Sequence, residues 1–296
     1  MYEAIEVFAA GVDIDAGPHS RERPRRMRSP STASAFLALA VALVLMAAGP
    51  ADAAIYFRTA TSTENVNGST SIAMTVPSGV AVGDLLIADV DAAGTGAITA
   101  PAGWTSLVSA AGFTTYSTVH YRVATAADVA GASYTWTLGS TRKAVGRMMS
   151  YVGVDTTAIG TPATNGANSG TSITYNSVTT AAANSLVVLG ATTLNASGTI
   201  SLTPPASTTT RVNLATSGSG SQLRSSNGDF IQAAAGATGT RTGSISPTNA
   251  WGTAMIALKP GTGTLAFDVA PAAGTLPGVT LNGQAQTTTS QMSDFA

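Results

Sequence analysis

The sequence predicts an all-β fold, a large antiparallel β-sandwich of jelly-roll or lectin-like type, preceded by a signal-peptide helix. Short apolar segments recur between turn residues such as Asn67-Gly68 and Pro101-Ala102-Gly103, and this punctuation is typical of strands. No segment after the predicted signal shows a sustained helical period. Two segments, Leu85-Leu86-Ile87 and Leu186-Val187-Val188-Leu189, are apolar on both faces, as the central strands of a two-layer stack are.

The N-terminal region predicts export. An apolar run, Ala33–Ala48, follows three arginines, and Gly49-Pro50 ends it (the arginines are Arg25, Arg26 and Arg28). The run is shorter than the ~20 residues of a membrane-spanning helix, and Ala51 and Ala53 offer signal peptidase the small residues it recognises. Residues 27–53 are therefore predicted to be a signal peptide, and residues 1–26 a disordered upstream extension with a mis-assigned start. The general secretory route is favoured, with no membrane attachment after cleavage.

Composition limits the cellular location of the protein and the classes of partner that it can bind. The chain holds 14 Lys and Arg against 15 Asp and Glu, so no basic surface attracts nucleic acid and none is predicted as a partner. It holds no cysteine, so an exported fold must be stabilised by packing alone. We expect a secreted or extracellular protein that associates with the cell wall or with extracellular polysaccharide. The sequence leaves the oligomeric state open.

Twelve segments after the signal have strand character, in this order: Ile55–Thr61, Ser71–Val76, Asp84–Asp91, Thr105–Ser109, Thr114–Val123, Ser133–Leu138, Val145–Val152, Ser172–Tyr175, Ser185–Ala191, Asp229–Ala233, Thr240–Ile245 and Trp251–Leu258. In the fifth of them alternation places Thr118, His120 and Arg122 on one face. That face is expected to meet solvent, which makes His120 a surface histidine.

The chain also repeats itself loosely. Asp84-Leu-Leu-Ile and the residues up to Leu107 match Ser185-Leu-Val-Val and the residues up to Val212, at an offset close to a hundred residues. Val145–Met149 matches Gly252–Ile256 in the same way. If the repeat is a real duplication, it predicts two similar halves that close one sandwich. The alternative is that the match arose by chance, because the composition is so simple.

Several short motifs carry a resemblance over residues 54–259. They are Gly83-Asp84-Leu85-Leu86-Ile87-Ala88, Ala100-Pro101-Ala102-Gly103-Trp104-Thr105, Tyr121-Arg122-Val123-Ala124, Tyr134-Thr135-Trp136 and Tyr151-Val152-Gly153-Val154-Asp155. Their order and spacing resemble a large, jelly-roll-like β-sandwich family of bacterial surface and secreted proteins and phage structural proteins. The resemblance implies the fold and the setting, and it assigns no reaction.

A second resemblance covers the C-terminal segment. Gly263-Thr-Leu-Ala-Phe267, Gly278-Val-Thr-Leu-Asn-Gly283 and Met292–Phe295 are similar to the opening strands of WxL surface domains, which associate with peptidoglycan. The Trp-x-Leu motifs that name that family are absent from the segment. Residues 260–296 are therefore predicted to be a linker and a truncated WxL-like segment.

No catalytic set is recognised, so the protein is predicted not to be an enzyme, with glycoside hydrolysis as the reaction left open. After residue 53 the chain holds one histidine, His120, and no cysteine, which argues against hydrolytic triads and zinc sites. Glycoside hydrolysis needs two carboxyl groups flanking the bond, and Glu64 is the one glutamate left after cleavage. No cofactor is predicted except, as an alternative, calcium.

Two candidate sites remain. Asp89 and Asp91 are two residues apart on a predicted strand, so both carboxylates share a face and, with nearby carbonyls, form a candidate calcium site; the alternative is that the strand ends in solvent. Trp104 follows a turn and is the candidate ligand-binding aromatic, whereas Trp136 and Trp251 are assigned to the core. Arg142, Lys143 and Arg147 are expected to form a solvated basic group at a hairpin tip.

The main hypothesis is a secreted or cell-surface, non-enzymatic β-sandwich with a structural, adhesive or envelope-interaction role. The alternative is a carbohydrate-binding, lectin-like module that uses Trp104 or a calcium ion at Asp89 and Asp91. A phage-derived virion component would share the fold, but the export signal argues against it.

Overall fold

The computed structural model of the protein describes residues 54–111, 114–261, 275–281 and 284–287. Over these residues the predicted all-β fold is confirmed, since antiparallel sheets pack together and helix is almost absent. The predicted extension, signal peptide and cleavage residues Ala51 and Ala53 lie outside the described residues, as does most of the WxL-like segment. No helix of the described part is long and apolar enough to cross a membrane.

The described residues form sixteen strands and one helical turn. In chain order they are β1 Tyr56–Thr75, β2 Leu85–Ala93, β3 Thr105–Ala111, β4 Thr115–Val123, α1 Ala126–Val129, β5 Ser133–Val152, β6 Val154–Ile159, β7 Ala163–Tyr175, β8 Thr179–Thr180, β9 Ser185–Asn195, β10 Ser201–Thr203, β11 Thr209–Ala215, β12 Gln222–Gln232, β13 Gly236–Ala237, β14 Arg241–Pro260, β15 Thr275–Leu281 and β16 Gln284–Thr287. The last two pair as an antiparallel hairpin.

The two main sheets have the same strand order. The first sheet runs β1-β5-β2-β4-β3. In the second sheet β9 lies between β14 and β12, β12 lies beside β11, and β7 pairs with the far edge of β14, which gives β7-β14-β9-β12-β11. An isolated bridge between Thr99 and Thr137 in the first half matches the pairing of β10 with β14 in the second. The predicted internal repeat is therefore present in the topology.

The inner faces of the two sheets form the central core. Leu85 and Ile87 of β2 and Met149 of β5 pack there against Leu186 of β9 and Ile256 of β14. Strand alternation then sends the intervening residues of the same strands to the outer faces of the sheets. Apolar residues on both faces are consistent with this arrangement, because each sheet is covered on both sides.

The outer face of the first sheet is covered by its own longest strands. Pairing of β1 with β5 places Thr63 beside Gly146, yet Met74, further along β1, sits over the same glycine. A Cβ at Gly146 would lie 2.6 Å from the Met74 Sδ, so any larger residue there would force the Met74 side chain to move. The register shifts after Asn65, where the ribbon of β1 and β5 bends back across the sheet.

This fold-back creates a second core on the outer face. Trp136 and Leu138, from the distal half of β5, are fully buried against Leu86 and Met148 of the sheet. The second half does the same, because Ile173 of β7 and Ile245 of β14 pack on the outer residues of β9. Each half of the molecule is therefore a sheet with a folded ribbon, and the two sheets meet face to face.

The predicted segments fall on strands of the structure, but several that were predicted to be separate strands belong to one long strand. The segments predicted as Ile55–Thr61 and Ser71–Val76 join into β1, those at 133–138 and 145–152 join into β5, and those at 240–245 and 251–258 join into β14. Bulges carry each strand through the residues between its segments. The strands β6, β8, β10, β11 and β13 and the helical turn α1 were not predicted, because they are short or polar and show weak alternation.

Candidate functional site

A charged cluster lies between the two sheets, where apolar residues would be expected. It consists of Arg147 of β5, Asp89 and Asp91 of β2, and Asn227 of β12, and is called the Arg147 cluster below. The Arg147 Nη2 lies 2.8 Å from the Asp89 Oδ2 and 2.7 Å from the Asp91 Oδ2. Arg147 is fully buried, and the three partners are at most 3% exposed.

Asn227 connects the cluster across the interface. The Arg147 Nε donates to the Asn227 Oδ1, and the Asn227 Nδ2 donates to the Asp89 Oδ2 at 2.8 Å. Because Arg147 and Asp89 belong to the first sheet and Asn227 to the second, these bonds set how the sheets align. A mismatch would leave buried charges without partners, which is strongly destabilising.

Strand register explains how the cluster is assembled. In the first sheet Arg147, Asp89 and Val119 lie side by side on β5, β2 and β4. In the second sheet Ala254, Gly190 and Asn227 lie side by side on β14, β9 and β12. A Cβ at residue 190 would lie 2.7 Å from the Asp89 Oδ2 and 3.1 Å from the Asn227 Nδ2. A larger residue at 190 would therefore displace the Asp89 carboxylate from its present place between the two rows.

The cluster carries two carboxylates and one guanidinium, and burial decides how they titrate. Burial raises the pKa of the Asp89 carboxyl to about 6, although Arg147 opposes the rise, and the nearby charge of Asp91 adds to it. Burial also disfavours the charge on Arg147, but the two carboxylates outweigh it and raise the pKa of the guanidinium. The arginine stays charged while Asp89 takes up a proton in mild acid.

An open cavity of about 270 Å³ adjoins the cluster. Asp89, Asp91 and Ser117 line it from the first sheet, and small residues line it from the second (Gly190, Thr192, Gly252 and Ala254). Thr164 and Gly166 of β7, both exposed, complete the wall. Its volume is just below the ~300 Å³ at which ordinary ligand pockets begin.

A second polar contact joins the sheets nearby. The Tyr151 hydroxyl of β5 donates to the Asp229 Oδ2 of β12 at 3.3 Å, and Arg211 of β11 pairs with both oxygens of Asp229 at 2.8 Å. The guanidinium of Arg211 also lies 4.3 Å from the centre of the Phe57 ring. This contact is internal, so it aligns the sheets as the Arg147 cluster does.

The structure places Asp89 and Asp91 on one face, as the sequence predicted, but not in solvent. The alternative of a strand ending in solvent was wrong, because both side chains are buried at the sheet interface. Arg147 already contacts both carboxylates, and the described residues contain no group of three or more metal-ligating side chains. The residues present fit an internal ion pair better than a calcium site. Calcium binding stays a prediction that a binding measurement must decide.

The predicted surface histidine was wrong. His120 is 4% exposed, because the folded ribbon covers the outer face of the first sheet and Trp136 lies against it. The Trp136 Nε1 donates to the His120 Nδ1 at 3.4 Å. Burial lowers the pKa of His120 to about 4, so the imidazole is neutral at physiological pH.

The predicted solvated basic group was also wrong in part. Arg147 is fully buried in its cluster, and Arg142 is 8% exposed, with its Nη2 donating to the Ala97 carbonyl at 2.9 Å. Lys143 is the partly exposed member, and its Nζ donates to the carbonyls of Ser219 and Ser221. The three residues are near in sequence but point to different partners, because β5 bends between its two halves.

Trp104 is half-buried and does not stand alone. Its ring packs edge-on against Trp136 and Tyr134 at centroid distances of 5.2 and 5.4 Å, and the guanidinium of Arg122 lies 5.7 Å from its centre. Trp136 and Trp251 are buried, as predicted. The indole of Trp104 thus packs at the edge of the outer core, with part of its surface in solvent.

Sequence reasoning missed Asn227 and the role of Arg147. Asn227 lies just before the predicted strand segment Asp229–Ala233, and Arg147, although inside the predicted segment Val145–Val152, was assigned to a solvated basic group. The repeat carried the available signal, because aligning Asp84–Ile87 with Ser185–Val188 places Asp89 opposite Gly190 in the alignment. A carboxylate in one buried strand that aligns with a glycine in the equivalent strand of the other half marks a position where the two halves differ.

Comparisons with known proteins add no relative, since no family model, no curated protein and no solved structure matches the chain.

Asp89 and His120 are both buried, and their pKa shifts predict opposite effects of pH on stability. The folded-state pKa of Asp89 is raised, so its contribution to stability is present at acid pH and is lost as pH rises from about 4 to 6. The folded-state pKa of His120 is lowered, so stability is gained as pH rises from about 4 to 6.5. We expect the two slopes largely to cancel in the wild-type protein.

Single variants should reveal each slope. Relative to wild type, Asp89→Asn is expected to gain stability as pH rises from 4 to 6.5, by on the order of 2 kcal/mol. His120→Gln is expected to show the opposite trend. Urea denaturation at four pH values in this window measures both, and parallel curves for wild type and Asp89→Asn would contradict the assignment.

Proposed function

We propose that the protein is a secreted or cell-surface, non-enzymatic β-sandwich with a structural, adhesive or envelope-interaction role. The observation that carries the proposal is how the charged side chains between the sheets are used. Arg147, Asp89 and Asp91 pair with one another, and Asp229 pairs with Arg211 and Tyr151. These contacts hold the two sheets in register and give each carboxylate a protein cation or donor on at least one of its oxygens.

The architecture suits a protein that must persist outside the cell without disulfides. Three cores, one between the sheets and one on each outer face, replace the covalent links that the absence of cysteine rules out. Buried ion pairs add alignment more than net stability. A rigid, doubly covered sandwich is a scaffold that can present loops or link other domains.

Export and wall association belong to the same proposal and rest on the sequence. The apolar run before Ala51 and Ala53 supports cleavage after residue 53, and the WxL-like segment 260–296 supports contact with peptidoglycan. Of this segment the structure describes residues 260–261 and the hairpin of β15 and β16.

Fractionation of cells that express the full chain tests export. We expect the protein in the medium or wall fraction with Ala54 as its N-terminal residue. A matched variant, Ala51→Leu with Ala53→Leu, should block cleavage and retain the larger form with the cells. Wild-type protein found in the cytoplasm with its N-terminal region intact would overturn the proposal.

Assays on a panel of cell-wall and extracellular polysaccharides test the non-enzymatic part. We expect no release of reducing sugar above a heat-treated control. Turnover that is abolished by Asp89→Asn or Asp91→Asn would show a hydrolase and would refute the proposal.

A carbohydrate-binding module is the second candidate, and Trp104 is the observation that favours it. A partly exposed indole held by Trp136 and Tyr134 offers a preformed apolar surface to a sugar ring. Glycan arrays with and without a chelator would measure binding and any calcium requirement at Asp89 and Asp91. Saturable binding lost in Trp104→Ala supports this candidate, and binding unchanged in that variant refutes it.

A further inference from the structure

The internal repeat relates the open cavity to the place that Arg147 occupies. Register makes Arg147 equivalent to Ala254 and Asp89 equivalent to Gly190, since each pair holds the same place in its row of neighbouring strands. The third members, Val119 and Asn227, are equivalent in the same way. The second half therefore carries a methyl group where the first half carries a guanidinium.

The row Arg147, Asp89, Val119 of the first sheet faces the row Asn227, Gly190, Ala254 of the second, so equivalent residues stand in opposite order. Arg147 bonds to Asn227 across the interface, and Asp89 meets the bare backbone of Gly190. The remaining pair, Val119 and Ala254, faces across the cavity that both residues line. One end of this arrangement is thus filled by a guanidinium, and the equivalent end is open.

The charges next to the cavity are unbalanced. Asp89 and Asp91 carry two negative charges when ionised, and Arg147 supplies one positive charge. Every partner that the described residues supply to these carboxylates binds an Oδ2 atom, which leaves both Oδ1 atoms without one. Both side chains are more than nine-tenths buried, and both line the cavity.

We propose that this cavity binds a small organic cation, a guanidinium or primary ammonium group, at the position equivalent to Arg147. The ligand supplies the second positive charge, and its N–H groups donate to the carboxylates of Asp89 and Asp91. Thr115 and Ser117, whose side chains carry hydroxyl acceptors, also line the cavity. The exposed residues Thr164 and Gly166 mark the side from which a ligand enters. This site is separate from the proposed scaffold role and does not depend on it.

Protons should compete with the ligand. The groups that face Asp89 are Asp91 on its own strand, Arg147 of β5 and Asn227 of β12, with Tyr175 of β7 close enough to interact with Arg147. Because burial holds the pKa of Asp89 at about 6, only about a tenth of this carboxyl is ionised at pH 5. We expect affinity to fall about tenfold between pH 7.5 and pH 5.

Titration calorimetry of the full chain with methylguanidinium chloride tests the proposal. Methylurea is the matched ligand control, because it has the same shape without the charge, and sodium chloride holds the ionic strength constant. We expect saturable binding of one methylguanidinium per chain at pH 7.5, weaker binding at pH 5 and none for methylurea.

Substitutions in the cavity wall test where the ligand binds. Ala254→Leu fills the cavity from the wall opposite the carboxylates and should abolish binding without removing a charge. Asp91→Asn removes one charge without filling the space and should weaken binding at least tenfold. Ser117→Leu fills the cavity from the first sheet and serves if the Ala254 variant does not fold.

Four results would overturn the proposal. They are no saturable binding at pH 7.5, equal binding of methylurea, displacement by sodium at equal concentration, and binding that both filling variants leave intact. The second would show a cavity for neutral ligands, the third a metal-ion site, and the fourth a site elsewhere on the protein.

Discussion

Arg147→Met is expected to lower the free energy of unfolding by about 3–5 kcal/mol at pH 7.5. Methionine keeps much of the buried volume but leaves Asp89 and Asp91 between the sheets without a cation. Asn227 also loses the donor that binds its Oδ1. Guanidinium chloride denaturation followed by tryptophan fluorescence measures the change. The loss should be smaller at pH 5, where Asp89 takes up a proton.

A triple variant separates charge from packing. Combining Arg147→Met with Asp89→Asn and Asp91→Asn removes all three charges while keeping similar shapes, and it should recover most of the lost stability. Strong non-additivity of this kind is expected for residues in one network. A triple variant as unstable as Arg147→Met alone would show that the arginine acts by packing and not by charge.

Trp136→Ala is expected to cost about 3–5 kcal/mol, because it empties the centre of the outer core. Trp136 is fully buried where the folded ribbon of β1 and β5 meets the first sheet. The substitution also removes the donor to His120. Thermal and chemical denaturation measure the loss, and faster hydrogen exchange should appear in the distal halves of β1 and β5 before the rest of the sheet.

Trp104→Ala is the matched control for the same core. Trp104 packs against Trp136 at 5.2 Å but keeps part of its surface in solvent, so its loss should cost about 1–2 kcal/mol. Equal costs for the two tryptophans would contradict the view that the ribbon is anchored at Trp136.

The strands were largely predictable because their signal is local. Alternation in Thr118–Val123, and the turn residues Pro101-Ala102-Gly103, are readable from a few neighbouring residues. The same locality explains the errors. Nothing near Ser71–Val76 indicates that it continues Ile55–Thr61 through a bulge, since the bulged residues are polar like those of a loop.

The candidate site was predictable in part. Spacing placed Asp89 and Asp91 on one face, which the structure bears out. Their partner Arg147 is far away in sequence, and Asn227 comes from the other half of the molecule, so pairing between them depends on strand register. His120 shows the same limit, because alternation assigns a face to a residue but cannot say what covers that face.

The sequence by itself determined that this protein is all β and that packing must stabilise it without disulfides, and it raised an internal repeat that the matching strand orders of the two sheets then established. These properties follow from periodicity, repetition and composition, which each short segment carries on its own. Only the tertiary structure decided that the ribbons fold over the outer faces, that a buried arginine joins two aspartates between the sheets, and that the equivalent place holds a cavity. Those features arise where strands distant in sequence meet, since desolvation and pairing act on groups that only the completed fold brings together.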